Sequence, residues 1–293
     1  ALSRFIKTTP TDAVKFLETK LFARPNSPQV LTNLALIHLR SGNKELGKQY
    51  LQRAVRSDSM YARAYKLMGN LVREEGDRQS DFEEKRRSYK FALASYGAYS
   101  KLAPFDPEGY MLAADLYRSV RDLGAAAKNY HRVISLAPNY PLVRVYLAQI
   151  ALNGQDFEAA KKLLDEEIKR HPNSSDAFLE LGRMHLLQKE YPLASQALIT
   201  SAKFNPKNIT AITLLGLAHY MRNDYNSAIA LYERALEINP LNEELHWRIG
   251  LAYEKDGKKG RALAAYRNFQ GLVTDPKRLS DVQKRIADLQ ASR

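Results

Sequence analysis

The sequence predicts an all-α fold, a solenoid of about seven helix–turn–helix units closed by a C-terminal capping helix. Three registers predict it. Prolines recur at Pro104, Pro138, Pro172, Pro206 and Pro240, each 34 residues after the last. Gly182, Gly216 and Gly250 keep the same step, as do Ala126, Ala160, Ala194, Ala228 and Ala262. Tyr130, Leu164, Leu198, Tyr232 and Tyr266 stay in phase with both. Self-similarity at a period of this size marks stacked units that bury one continuous core between neighbours.

Residues 209–242 show how one unit is built. Ile212, Leu215, Leu217 and Tyr220 recur at helical spacing, so the segment predicts an amphipathic helix. Arg222, Asn223 and Asp224 then supply turn chemistry. A second periodic run, Ala228, Leu231, Tyr232, Ala235 and Leu236, ends before Pro240, which cannot continue a helix. Gly216, Ala228 and Ala235 are small enough to let the two helices approach, and Leu215 and Tyr232 fill the space between them.

These residues resemble the tetratricopeptide repeat family, with its small residues at the eighth, twentieth and twenty-seventh positions and proline at the thirty-second. The resemblance covers nearly the whole chain and implies a right-handed superhelical solenoid. In its register, units begin at Pro28, Ala62, Pro107, Pro141, Ser175, Ile209 and Glu243. Residues 28–276 form the seven units. Residues 1–27 carry Ala13, Leu17 and Pro25 in phase and read as the second helix of a partial repeat, so the chain is expected to begin partway through a longer array. In the second unit, Ala92 stands 11 residues later than the pattern places it, an insertion within the charge-dense residues 73–89. Residues 277–293 carry an apolar stripe, Leu279, Val282, Ile286 and Leu289, which predicts the capping helix an open stack needs.

Chemistry-bearing motifs are few. There is no cysteine, which removes disulfides, thiolate metal sites and cysteine nucleophiles. His38, His185 and His219 occupy the eleventh, packing position of their units, one per hairpin, without metal-ligand spacing. Glycine-rich phosphate loops and G-x-S-x-G elbows are missing, so the reading is non-enzymatic, with no cofactor and no metal.

In the family, the second, fifth, ninth, twelfth and thirteenth positions of first helices face a concave groove. The resemblance therefore implies partner-binding roles for Arg40, Arg63, Lys66, Asn70, Arg73, Met111, Arg118, Gln149, Arg183, Leu217, Tyr220, Trp247 and Leu251. The N-terminal part of this set is cationic, and the C-terminal part is apolar and aromatic. Lys66 and Asn70 are similar to the lysine–asparagine pair with which chaperone-binding members clamp a terminal carboxylate. Met111, Leu112 and Asp115 depart from the rest of that clamp.

The net charge of +13 invites nucleic acid as a partner, but residues 1–106 and 277–293 hold 11 of these charges, leaving the centre nearly neutral. Aromatic residues fall in packing slots, not among Arg and Lys on one face. The leading expectation is a protein-interaction scaffold that binds a peptide or partner domain, within a bacterial assembly or export complex by family analogy. Nucleic acid and an anionic polysaccharide are the alternatives, and exposed terminal repeats offer a route to a homo-oligomer. No apolar run is long enough to span a membrane. The missing cysteines suit an oxidising periplasm better than a reducing cytosol.

Overall fold

The computed structural model describes residues 10–291, which are helical apart from short connections. They divide into two compact units, one ending at Tyr140 and the other beginning at Pro141.

In the N-terminal unit, α1 (Pro10–Ala23) precedes three hairpins: α2 (Pro28–Arg40) with α3 (Lys44–Ser57), α4 (Ala62–Arg78) with α5 (Phe82–Leu102), and α6 (Pro107–Ser119) with α7 (Leu123–Leu136). The expectation that residues 1–27 are the second helix of a partial repeat falls partly on residues 1–9, outside the described residues. In the C-terminal unit, α8 (Val143–Asn153) pairs with α9 (Phe157–Arg170), and α10 (Ser175–Leu187) with α11 (Tyr191–Phe204). Next, α12 (Ile209–Met221) pairs with α13 (Tyr225–Ile238) and α14 (Glu243–Lys255) with α15 (Lys259–Leu272), before α16 (Pro276–Ala291).

Local chemistry sets the helix boundaries. First helices start behind side-chain caps: Ser27, Asp106, Ser174, Asn208 and Asn242 each accept a backbone N–H from the first turn. Such a cap contributes about 1 kcal/mol. Six of the hairpins turn through three residues, with the middle one in the left-handed region: Gly42, Arg121, Gln155, Lys189, Asn223 and Gly257. Asp122, Asp156 and Asp224 close three of these turns and cap the following helices.

Two segments depart from this plan. The inserted residues lengthen both helices of the second hairpin, α4 to 17 residues and α5 to 21, where α6 has 13 and α7 has 14. At 1.5 Å per residue, α5 is about 10 Å longer than α7. Its turn, residues 79–81, uses no left-handed residue. The other departure is at Pro141, where the repeat register places a helix start. Leu142 takes a left-handed conformation (φ 65°), so α8 begins two residues later and has only 11 residues. The Leu142 N–H donates to Glu167 Oε1 at 3.3 Å.

The core is the one the repeat registers predict. Tyr96, Tyr130, Tyr232 and Tyr266 are fully buried between their paired helices, and Leu51, Leu164 and Leu198 fill the same slot in other hairpins. Glycine at the eighth position makes room for the ring. A Cβ at Gly69, Gly216 or Gly250 would come within 2.5, 2.5 or 2.4 Å of Tyr96, Tyr232 or Tyr266. At the C-terminal end, Val282 of α16 is buried, and Leu279, Ile286 and Leu289 pack on the same cluster. This is the capping helix the sequence predicts.

Candidate functional site

The fifth, ninth and twelfth positions of the first helices form one face in each unit, and buried tyrosines reach it from below. The Tyr96 hydroxyl donates to Asn70 Oδ1 at 2.9 Å, the Tyr130 hydroxyl to Asp115 at 2.7 Å and the Tyr266 hydroxyl to Glu254 at 2.8 Å. Each ring stands between the two helices of its hairpin, so its hydroxyl ends on the polar groups of this face and holds their positions.

In the N-terminal unit, Arg63, Lys66, Asn70 and Arg73 follow one another along α4 at i, i+3, i+7 and i+10, and therefore share a face. Arg63 and Asn70 are exposed, and Arg73 is half-buried beside the Tyr96 hydroxyl. Lys66 Nζ lies 2.6 Å from Glu108 Oε2 and 5.4 Å from the centre of the Tyr99 ring. Arg118 Nε donates to the Tyr130 hydroxyl at 3.1 Å, and the guanidinium stands 3.9 Å from Asp115. Met111 is half-exposed on α6, and Arg40 is exposed at the end of α2. The structure thus brings Lys66, Asn70 and Arg73 onto one aromatic floor. It offsets part of their charge with Glu108 and leaves the Arg63 guanidinium open to solvent.

This floor shifts ionisation in defined directions. Burial pushes the Tyr96 phenol up to about 12, with Arg73 pulling the other way. Burial and then the Asp115 carboxylate raise the Tyr130 phenol further. Burial would raise the Asp106 carboxyl, but the Tyr99 hydroxyl, the Glu108 N–H and the Lys66 ammonium hold it below the usual carboxylate range.

In the C-terminal unit, Gln149 and Arg183 meet on one carboxylate. Gln149 Nε2 donates to Glu180 Oε1 at 2.9 Å, and Arg183 bonds both oxygens at 3.2 and 3.0 Å. Glu180 is only 2% exposed, and these two donors satisfy its buried carboxylate. Its position, the sixth of the unit, is not among those that the repeat pattern turns toward the groove. Leu217 is half-buried, and Tyr220 packs edge-on against Tyr225 at 5.4 Å.

Trp247 is half-buried on α14. Its indole lies 5.3 Å from the Tyr266 ring and 5.2 Å from Phe269, with the Arg285 guanidinium over it at 5.7 Å. Leu251 packs against the same cluster. Around them, Arg285 bonds Glu254 at 2.7 and 3.0 Å, and Arg278 bonds Glu243 and Glu244. The face of the last hairpin is therefore partly covered by α16, because a terminal repeat has no following hairpin to bury its edge. Glu254 shows the consequence. Burial would raise its carboxyl, but the Arg285 and Tyr266 hydrogen bonds hold it below its ordinary value.

The eleventh-position histidines behave as packing residues. His38 stacks on Tyr50 at 5.5 Å, and His185 and His219 each set Nδ1 against a turn carboxylate, Glu190 at 2.6 Å and Asp224 at 2.8 Å. Among the described residues no group of three or more His, Asp or Glu side chains could hold a metal ion. No described helix is long and apolar enough to cross a membrane.

Comparison with known proteins places these hairpins. Residues 28–59, 118–166 and 145–208 match family models described as Tetratricopeptide repeat, and residues 220–257 match one described as TPR repeat. No curated protein sequence gives a significant match. Among solved structures, a tetratricopeptide repeat protein from Parabacteroides merdae ATCC 43184 is similar with a TM-score of 0.65 at 15% identity, covering 89% of this chain and 98% of that one. Yeast Tom70 is similar with a TM-score of 0.59 at 13% identity over 96% of this chain, which spans only 58% of the Tom70 chain. YrrB, described as a TPR protein with an unusual peptide-binding site, gives 0.51 at 16% identity, covering 66% of this chain and 99% of that one. At these identities the solved structures establish the fold alone. The family matches fall on hairpins of both units, and the chain belongs to the tetratricopeptide repeat family.

Proposed function

We propose that the chain is a non-catalytic scaffold that holds a peptide or partner domain against the first-helix face of its N-terminal unit, through acidic groups of the ligand. The observation that carries this reading is the row on α4. Arg63, Lys66, Asn70 and Arg73 share one helix face, Arg63 has no carboxylate partner among the described residues, and Tyr96 and Tyr99 contact Asn70 and Lys66 from below. A carboxylate arriving there meets charge-assisted donors at an ordered surface, which gives more than a mobile surface lysine does. The Lys66–Glu108 pair is part of the recognition, since an incoming acidic group competes with Glu108 for the ammonium. YrrB, similar in fold, is described as having a peptide-binding site, which agrees with a ligand of this class.

On the C-terminal unit, Leu217, Tyr220 and Arg183 remain candidate contacts of that unit's own first-helix face. Trp247 and Leu251 are half-buried and, like Tyr220, pack against the core of the last two hairpins. The test is affinity capture from native lysate, with and without nuclease, using wild type, Arg63→Glu/Lys66→Glu/Arg73→Glu and Leu217→Glu. Each variant is first shown to melt like wild type. A protein partner that survives nuclease and is lost from the triple variant is the expected result. Recovery of nucleic acid alone refutes the reading, as does retention of every partner by both variants.

A further inference from the structure

The lengthened second hairpin opens a groove away from the first-helix face. The first turns of α5 rise beyond the α6–α7 turn, so α5 has no neighbour there on the side of the next hairpin. On its other flank α4 covers it: Tyr89 packs over Gly76 and its hydroxyl donates to Asp77 at 2.6 Å. The open flank is a trough of about 900 Å³ between α5 and the end of α6. That volume lies toward the upper end of the range of about 300–1,000 Å³ usual for ligand clefts.

The lining follows a helical stripe. Phe82, Tyr89 and Leu93 supply its apolar side, with Tyr117 and Val120 from α6 and its turn as the floor. Phe82 is 73% exposed and Val120 is 42% exposed, high values for side chains of their kind. Interleaved with them are Lys85, Arg86 and Lys90, and no carboxylate lines the trough. Arg86 has a loose partner, Glu83 at 3.7 Å, while Lys85 and Lys90 have no carboxylate partner among the described residues. Glu83 and Glu84 belong to the same turns but lie off the stripe. An amphipathic strip of apolar and cationic residues, with the acids turned away, runs about 18 Å along the helix at 1.5 Å per residue.

We propose that this trough is a second docking site, independent of the first-helix face, and that its occupant is an acidic amphipathic helix of a partner protein. The length of the strip suits about three turns of helix. The bulky residues of the partner would fill the space over Leu93 and Val120, and its Asp and Glu side chains would meet Lys85, Arg86 and Lys90. This is helix-in-groove recognition with charge complementarity fixing the sign of the ligand.

The probe is a fluorescein-labelled synthetic peptide of about 14 residues, with Leu and Phe at helical i, i+3, i+4 and i+7 spacing and Glu at the remaining positions. A shuffled isomer and an isomer with Lys for Glu serve as controls. The full chain is expected to bind the first peptide at least about tenfold more tightly than either control. Lys85→Glu/Lys90→Glu and, separately, Phe82→Ser/Val120→Ser are each expected to weaken it by about tenfold or more. All four residues are solvent-exposed or half-exposed, and circular dichroism verifies that both variants keep the wild-type fold. Arg63→Glu should leave this affinity unchanged, which separates the trough from the first-helix face. Equal binding of the shuffled peptide reduces the trough to unspecific charge attraction and overturns the proposal. Wild-type affinity in both trough variants also overturns it. So does sedimentation as a dimer that Phe82→Ser/Val120→Ser converts to monomer, since a second copy then fills the groove.

Discussion

The second and seventh hairpins share a buried tyrosine and the glycine beneath it, yet the groove positions above are cationic and open in the one, and apolar or acidic and partly covered in the other. In the second, Arg63 stands free in solvent and Asn70 is exposed over the Tyr96 hydroxyl. In the seventh, Trp247 is walled by Tyr266, Phe269 and Arg285, and Glu254 is clasped by Arg285. The tyrosine beneath, with the glycine that admits its ring, is common to both. A groove position therefore acquires its role from the helix that follows it. Where α16 lies alongside, the position is half-buried. Where a hairpin follows that is shorter than its own, as after the second, part of the preceding helix stays uncovered.

Alkaline titration gives the largest expected effect in sharpening this comparison. Tyr96 and Tyr232 keep their protons up to about pH 12 in the fold, whereas an unfolded tyrosine releases its proton near 10. Between these values the unfolded state binds fewer protons, so stability is intact below pH 10 and falls as pH rises. Each such tyrosine costs about 1.4 kcal/mol per pH unit in that window. Tyr130 and Tyr266 shift in the same direction. Phenolate absorbance and circular dichroism should therefore change together in one steep step. Stepwise ionisation with the fold intact would show that the hydroxyls are accessible.

Removing the ring is next. Tyr266→Ala deletes a fully buried side chain that packs on Trp247 and bonds Glu254, and is expected to cost about 3–5 kcal/mol in denaturant unfolding. Overpacking the same contact is milder. Gly250→Ala puts a Cβ 2.4 Å from that ring and should cost about 1–3 kcal/mol. Gly97→Ala, where a Cβ meets nothing within 4 Å, should instead gain up to about 1 kcal/mol from helix propensity. Equal effects at the two glycines would dissolve the argument for close approach. The smallest change is Arg285→Ala, which removes two partly solvent-screened bonds to Glu254 and the cover on Trp247. About 1 kcal/mol is expected, together with a red shift of tryptophan emission. An unmoved emission would mean that the indole never depended on α16.

The periodic features were legible because they repeat. Pro240 and its counterparts, the small residues and the tyrosines are demanded by hairpin geometry in every unit, so their phase locates the helices. What is particular to one place was harder to read. Leu142 carries no mark of a left-handed residue, and its conformation delays α8 by two positions. Charge density flagged residues 73–89 but not their division between two helices, which follows from keeping both arms of a hairpin in contact. The strip Phe82, Lys85, Arg86, Tyr89, Lys90 and Leu93 has helical spacing in the sequence. Its exposure depends on where α6 ends. Trp247 fits a ligand position by register alone, and its surroundings are set by Tyr266 and Phe269 of α15 together with Arg285 of α16. Glu180 was overlooked because its partners, Gln149 and Arg183, come from two different first helices.

The central claim, that the open face of the N-terminal unit receives the ligand while the last hairpin is partly covered by α16, is tested most directly by site-specific photo-crosslinking in native lysate. Benzoylphenylalanine is placed in turn at position 63 and at position 251 of the full chain. The account predicts a discrete protein adduct from position 63, competed away by an acidic peptide, and none from position 251. An adduct from position 251 with none from position 63 would contradict it.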